Sequence, residues 1–245
     1  MARELWHASL DEPCPYLAET DATTEYRILT EVAAEEHEQM IVRGWRRFGM
    51  QYFRPRCARC RECVSLRVPI AVFRPTKSQR RAWRKCGHLR VEMGPPQANA
   101  ERVELFHAWH ANRERTRGWR PTTMNLREYA LTFCTPNACG REMAYFDRDR
   151  LVAVGLVDVT PNAFSSIYFF YHPDVRDCSI GVASVLMEIE WARRLNCTHL
   201  YLGYRVNDCP STAYKAQYGP HELLTGRPGV EEEPVWVGTE EASNR

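Results

Sequence analysis

The segment Cys57-Ala58-Arg59-Cys60-Arg61-Glu62-Cys63 sets three thiols at C-x2-C-x2-C spacing, which lets three sulfurs converge on one centre. Structural zinc sites and iron–sulfur clusters need such convergence. A ferredoxin-type run would continue with x3-Cys-Pro, but Val64-Ser65-Leu66 follows, so a fourth ligand has to come from elsewhere. Cys14, in Pro13-Cys14-Pro15-Tyr16, is the candidate. Arg56, Arg59 and Arg61 beside the cluster favour thiolates, the metal-binding form of cysteine. The group Cys14, Cys57, Cys60 and Cys63 could therefore hold zinc, hold an iron–sulfur cluster, or be plain thiols on a turn. The chain has ten cysteines, and its N-terminus Met1-Ala2-Arg3-Glu4-Leu5-Trp6-His7 lacks the apolar core of a secretory signal. The remaining cysteines read as small apolar core residues of a reducing compartment.

The second chemical signal is the layout of charge. The formal net charge is only +2 over 245 residues. Yet the stretch 43–90 holds 15 Lys and Arg against one acid, Glu62, while the rest carries 18 basic and 30 acidic residues. A solvated face usually mixes signs, whereas a segregated basic block is the footprint of a phosphate-backbone partner. Hydrophobic residues make up 44% and charged residues 26%, ordinary for a globular chain. No apolar run approaches the roughly 18 residues that span a bilayer. A cytoplasmic protein without a membrane partner is expected.

These groups need a scaffold, and the punctuation of the chain suggests one. An acidic helix is expected over 24–43, ended by Gly44, with strands over 45–54 and 64–73 flanking the cysteines. Val64, Leu66, Val68, Ile70 and Val72 alternate along the second strand. Thr76 caps a short basic helix through Cys86, stopped by Gly87. Pro95-Pro96 marks the expected domain boundary, dividing the chain into 1–94, 95–228 and a polar tail at 229–245. A helix over 100–117 stops at Gly118, and Asn125 caps another over 126–133. Strands follow over 142–146, 151–158 and 164–171. A helix opening at Gly181 has Val182, Val185, Leu186 and Ile189 at helical spacing, and the strand 199–204 comes after it.

Strand, glycine-containing loop, helix and strand in this order resemble the acetyltransferase-like fold called GNAT. The expected class is thus α+β, a GNAT-like mixed sheet with flanking helices plus a smaller basic N-terminal region. In that fold the helix N-terminus offers free N–H groups to a phosphate. The segment Arg176-Asp177-Cys178-Ser179-Ile180-Gly181-Val182-Ala183 fits the usual acyl-CoA loop only loosely.

Several motifs are more specific. Cys14-Pro15-Tyr16-Leu17, Gly44-Trp45-Arg46-Arg47-Phe48-Gly49, Tyr52-Phe53-Arg54-Pro55-Arg56-Cys57 through Cys63, and Ser78-Gln79-Arg80-Arg81 stand in the first part. Tyr168-Phe169-Phe170-Tyr171-His172-Pro173, Ser179-Ile180-Gly181, Tyr201-Leu202-Gly203-Tyr204, Cys209 and Tyr214-Lys215 stand in the second. In this order, over 14–224, the chain resembles the aminoacyl-tRNA–protein transferases of the bacterial N-degron pathway. It is most similar to the aspartate/glutamate leucyltransferases, relatives of the eukaryotic arginyltransferases. It departs from their pattern at Phe48, at Ile180 and at Pro210-Ser211-Thr212-Ala213. Leu17 stands where the eukaryotic relatives carry a second cysteine, which favours the bacterial branch.

The resemblance implies that leucine moves from Leu-tRNA to the N-terminal Asp or Glu of proteins, marking them for degradation, with no cofactor required for transfer. It implies polar groups around the reacting carbonyl at Tyr168, Tyr204, Tyr214 and Lys215, and contacts to tRNA or to an acidic acceptor from Arg46, Arg47, Gln79, Arg80, Arg81 and Gly181. Three alternatives stay open: transfer of arginine, an acetyl-CoA-dependent N-acetyltransferase, and a non-enzymatic RNA-binding or zinc module.

Overall fold

The computed structural model describes residues 2–239. Two antiparallel strands, β1 (Arg3–Pro13) and β2 (Asp21–Thr30), open the chain, followed by helix α1 (Ala34–Val42) and short strands β3 (Arg46–Phe48) and β4 (Gln51–Pro55). These four strands form one sheet in the order β1-β2-β4-β3. The helix expected over 24–43 is thus confined to α1. Residues 21–30 are rich in Thr, Tyr, Ile and Leu, side chains that fit a half-buried pleat. They pair with β1 on one side and β4 on the other. The strand expected over 45–54 breaks into β3 and β4 at Gly49. Its φ is +56°, and a Cβ there would sit 2.6 Å from the Leu131 carbonyl oxygen.

The larger sheet has eight strands, and chain from both sides of Pro95-Pro96 builds it. From the first part come β5 (Val64–Pro69) and, after helix α2 (Lys77–Lys85), β6 (Arg90–Gly94). Helices α3 (Ala100–Arg117) and α4 (Leu126–Phe133) precede β7 (Gly140–Asp147), β8 (Arg150–Val159) and β9 (Ala163–Tyr171). Helix α5 (Ile180–Arg194) crosses to β10 (His199–Arg205), a short helix α6 (Pro210–Ala213) follows, and β11 (His221–Leu224) and β12 (Trp236–Thr239) close the sheet. The order is β12-β11-β5-β10-β9-β8-β7-β6. The boundary expected at Pro95-Pro96 therefore does not separate two sheets, since β5 lies between β11 and β10. Part of the expected polar tail is also sheet: β12 pairs with β11, and Trp236 Nε1 donates to the Val42 carbonyl at 3.1 Å. Residues 240–245 of that tail lie outside the described chain.

The caps and stops read from the sequence form as expected for α2, α3 and α4. Thr76 accepts from the Gln79 amide, Asn125 caps α4 and Gly118 ends α3, while the cap of α3, Asn99, is added by the structure. Leu66, Val68, Val152, Val154, Phe164, Phe170 and Leu200 are fully buried in one core beneath the large sheet. Each such side chain stabilises the fold by about 1.5–3 kcal/mol.

The two sheets are joined by a buried polar link. Arg47 donates through Nε at 3.0 Å, and through Nη2, to the Asp158 carboxylate. His37 Nε2 lies 2.8 Å from the same carboxylate, and Tyr52 OH lies 2.9 Å from His37 Nδ1. Such a network costs desolvation but stabilises one relative placement when all its members are paired. Arg47 and His37 hold the Asp158 carboxyl well below the usual carboxylate range, although burial works the other way.

Candidate active site

Strands β9 and β10 run parallel from Ala163/His199 to Ser165/Tyr201 and pair no further. Local irregularities open the gap. Against β8, strand β9 carries one extra residue, Ile167, between Ser166 and Tyr168. Against β5, strand β10 carries one at Leu202. Bulges of this kind bend a strand and re-aim its side chains. Next to the second, Gly203 has φ +76°, and a Cβ there would press to 3.2 Å from Arg46 Nε. A cleft of about 730 Å³ occupies the gap. Its walls come from β9, the N-terminal half of α5, α3, the α6 segment and the loop at Pro15-Tyr16.

Two titratable groups of opposite type line this cleft. Glu188, on α5, is 2% exposed, and its Oε2 has no hydrogen-bond partner among the described residues. Burial pushes its carboxyl up to about 8, against the opposing pull of the Ser166 hydroxyl and the Arg46 and Lys215 charges. Lys215 donates to the Tyr204 carbonyl at 2.8 Å. Burial, followed by the nearby Arg46 charge, brings its ammonium down to about 7. A carboxyl raised and an amine lowered into one pH range can exchange protons with a substrate near neutrality. Glu188 was not among the residues singled out in the sequence. Its signal was available, because position 188 follows Val185 by three residues and so shares the apolar face of α5.

The other expected residues fall into three groups. Tyr168, Tyr214, Lys215 and Gly181 line the cleft. Tyr168 OH lies 2.9 Å from His110 Nε2, and burial pushes its hydroxyl up to about 12. Tyr214 is 40% exposed within the cleft, and burial followed by Glu188 raises its hydroxyl to about 12. Gly181 opens α5, and the Ile180 and Gly181 amides find no acceptor among the described residues.

The second group supports the cleft without facing it. Tyr204 is buried and donates to the Gly44 carbonyl at 2.7 Å, so its hydroxyl is not a reacting group. Arg46 donates to Ser165 Oγ at 2.8 Å and to the Ser166 carbonyl, bracing β9. Arg47 is committed to Asp158. Gln79 is 4% exposed, closes the capping box of α2 and donates to the Gln217 carbonyl at 3.0 Å. Arg46, Arg47 and Gln79 are therefore internal struts, where tRNA or acceptor contacts were expected, because each is already paired inside the protein.

The third group lies on the surface of α2. Arg80 and Arg81 are exposed there with Lys77, Arg84 and Lys85. This helix packs on α5. Lys85 donates to the Asp177 carbonyl at 3.1 Å, and Cys86 Sγ to the Cys178 carbonyl at 3.3 Å. The basic block thus adjoins the loop that leads into Gly181 and the mouth of the cleft.

The cysteines are neighbours: burial first, and then Cys14, Cys57 and Cys60, raise the Cys63 thiol to about 12. Arg227 donates to the Cys57 and Cys60 carbonyls at 2.8 Å each. Among the described residues, however, no group of three or more His, Cys, Asp or Glu side chains is arranged to hold a metal ion. The donor set suits a thiophilic ion, and no step of the chemistry is routed through one.

Comparison with known proteins gives the family and the fold. Residues 12–81 match the family model "Arginine-tRNA-protein transferase, N terminus", and residues 101–225 match "Arginine-tRNA-protein transferase, C terminus". The chain is 34% identical over 235 residues to an aspartate/glutamate leucyltransferase of Campylobacter jejuni subsp. jejuni (strain 81-176), covering 95% of this chain and 98% of the relative. It is 35% identical over 217 residues to one from Halorhodospira halophila, covering 87% and 91%. Among solved structures, FemX superposes with a TM-score of 0.51 at 9% identity, over 82% of this chain and 69% of that one. That likeness supports the GNAT-like α+β fold.

Proposed function

Because the chain belongs to the family of the aspartate/glutamate leucyltransferases, we propose that the cleft between β9 and β10 is where a leucyl ester meets the amine of an acceptor protein. The protein is an aminoacyltransferase that moves leucine from Leu-tRNA to an N-terminal Asp or Glu. The ester at the tRNA 3′ end is already activated, so no covalent enzyme intermediate is needed.

The acceptor α-amine, with an ordinary pKa of about 8, enters neutral and attacks the ester carbonyl. As the C–N bond forms, Glu188 takes the amine proton. As the C–O bond to the ribose breaks, that proton passes to the leaving ribose oxygen, so the enzyme ends as it began. The Tyr214 hydroxyl, kept protonated by its raised pKa, donates toward the developing oxyanion. Arg46 offsets the Glu188 charge once it forms. Holding amine and ester in contact contributes on the order of 7–11 kcal/mol at best.

The observation that carries this reading is a buried carboxyl with one unpartnered oxygen, inside a cleft whose mouth adjoins an exposed basic helix. Charged tRNA and the protein acceptor are the partners this requires. No described helix is long and apolar enough to cross a membrane, and charged tRNA is a cytoplasmic substrate, which together support a cytoplasmic location.

The donor is tested by offering the purified chain labelled Leu-tRNA, Arg-tRNA or acetyl-CoA with a peptide that starts with Asp. A leucylated peptide from Leu-tRNA alone is expected. An arginylated product as the main one would reassign the donor, and an acetylated one would reassign the reaction.

A further inference from the structure

Three arginines line the same cleft: Arg113 and Arg117 of α3, which no motif singled out, and Arg176 of the turn before α5. Their charges repel: Arg117 and Arg176 both act against the Arg113 guanidinium. Among the described residues no carboxylate forms an ion pair with any of the three. The nearby Glu114 is used otherwise, its Oε1 accepting from the Thr122 amide at 3.1 Å. Uncompensated cations inside a cleft are costly unless an anion comes to them.

Arg113 differs from the other two. Arg117 and Arg176 are exposed, whereas Arg113 is half-buried. Its guanidinium carbon lies 3.8 Å from the centre of the Trp109 ring, and its buried Nε has no hydrogen-bond partner among the described residues. Trp109 in turn packs at a tilt of 49° against Tyr171, with 4.2 Å between ring centroids. Packing on an aromatic face fixes the plane of the guanidinium and leaves its edge as a fork for a planar carboxylate.

An acceptor that begins with Asp or Glu carries its carboxylate only a few bonds from the attacking amine. Its reader must therefore sit in the cleft with Glu188. Arg46 and Arg47 are paired internally, and Arg80 and Arg81 are on the surface of α2 rather than on the cleft wall. Resting on the reaction assigned above, we propose that Arg113 binds the side-chain carboxylate of the acceptor's first residue and sets the preference for acidic N-termini. The exposed Arg117 and Arg176, on the same cleft lining, are left to face RNA phosphate.

The test compares wild type, Arg113→Gln and Arg113→Lys at saturating Leu-tRNA, on two peptides that differ only in Asp or Asn at the first position. Affinity for Leu-tRNA and its salt dependence are measured alongside. In Arg113→Gln, kcat/KM on the Asp peptide is expected to fall about 100-fold while the Asn peptide is unchanged, so the preference collapses. Arg113→Lys, which keeps the charge and loses the fork, should fall between. Leu-tRNA affinity should stay within about twofold, because no phosphate contact is removed.

An intact Asp preference with weaker Leu-tRNA binding and a salt slope reduced by about one would make Arg113 an RNA contact and overturn the proposal. Equal losses on both peptides would also overturn it. Failure of wild type to leucylate any peptide would instead sink the reaction itself.

Discussion

At the scale of single residues, the account turns on what burial does to a carboxyl. Exposed, Glu188 would be a weak base near neutral pH; buried, it sits at about 8, beside an attacking amine of similar pKa. A neutral amine and an ionised Glu188 then each require the loss of a proton. The wild-type kcat/KM for the acceptor should accordingly rise steeply below neutrality, with a log–log slope approaching 2, and level off above pH about 8. Glu188→Gln should lose about 100-fold or more in single-turnover rate and follow the amine alone, with a slope near 1. A variant with wild-type rate and slope would remove Glu188 from the chemistry. Lys215, Tyr168 and Tyr214 were legible from motif positions, and all three line the cleft. No motif contains Glu188 or Arg113, although an acid on the apolar face of α5 marked Glu188. What distinguishes them is an oxygen and a nitrogen left without partners after folding, and that property exists only in three dimensions.

At the scale of elements, local pattern was a good guide wherever a cap or stop decided the outcome. Thr76, Asn125 and Gly118 bound α2, α4 and α3 through contacts within a few residues. Partnership between strands was not legible. Residues 24–30 run straight into the acid- and alanine-rich stretch 31–38 and so read as one helix with it, and only pairing with β1 and β4 makes 21–30 a strand. Likewise β5 reads as a strand next to the cysteines, but its neighbours β10 and β11 are more than a hundred residues away. Helix α2 carries the prediction at this scale. Arg80 and Arg81 stand exposed on a helix packed against α5, so replacing both with Ala should weaken Leu-tRNA binding and reduce the salt slope by about two. Turnover at saturating Leu-tRNA should be unaffected. Filter binding over a salt series measures this, and an unchanged slope would separate α2 from the RNA.

At the scale of the whole molecule, two chemically unlike surfaces have to meet. The small sheet is joined to the large one through Arg47, His37, Tyr52 and Asp158, and α2 is tied to the loop before α5 through Lys85 and Cys86. These links bring a basic, solvent-facing helix to the edge of a cleft lined by aromatic rings and a buried acid. A polyanion can then be held outside while its terminal ester reaches in. The most direct test uses leucyl-tRNA with an amide in place of the ester and a photoreactive adenine at the 3′ end, followed by mapping of the crosslinked peptides. Crosslinks should concentrate in the β9 stretch around Ser166–Tyr171 and in the segment from Arg176 to Glu188. Crosslinks confined to β1, β2 or the far edge of the large sheet would place the tRNA end elsewhere and contradict the account.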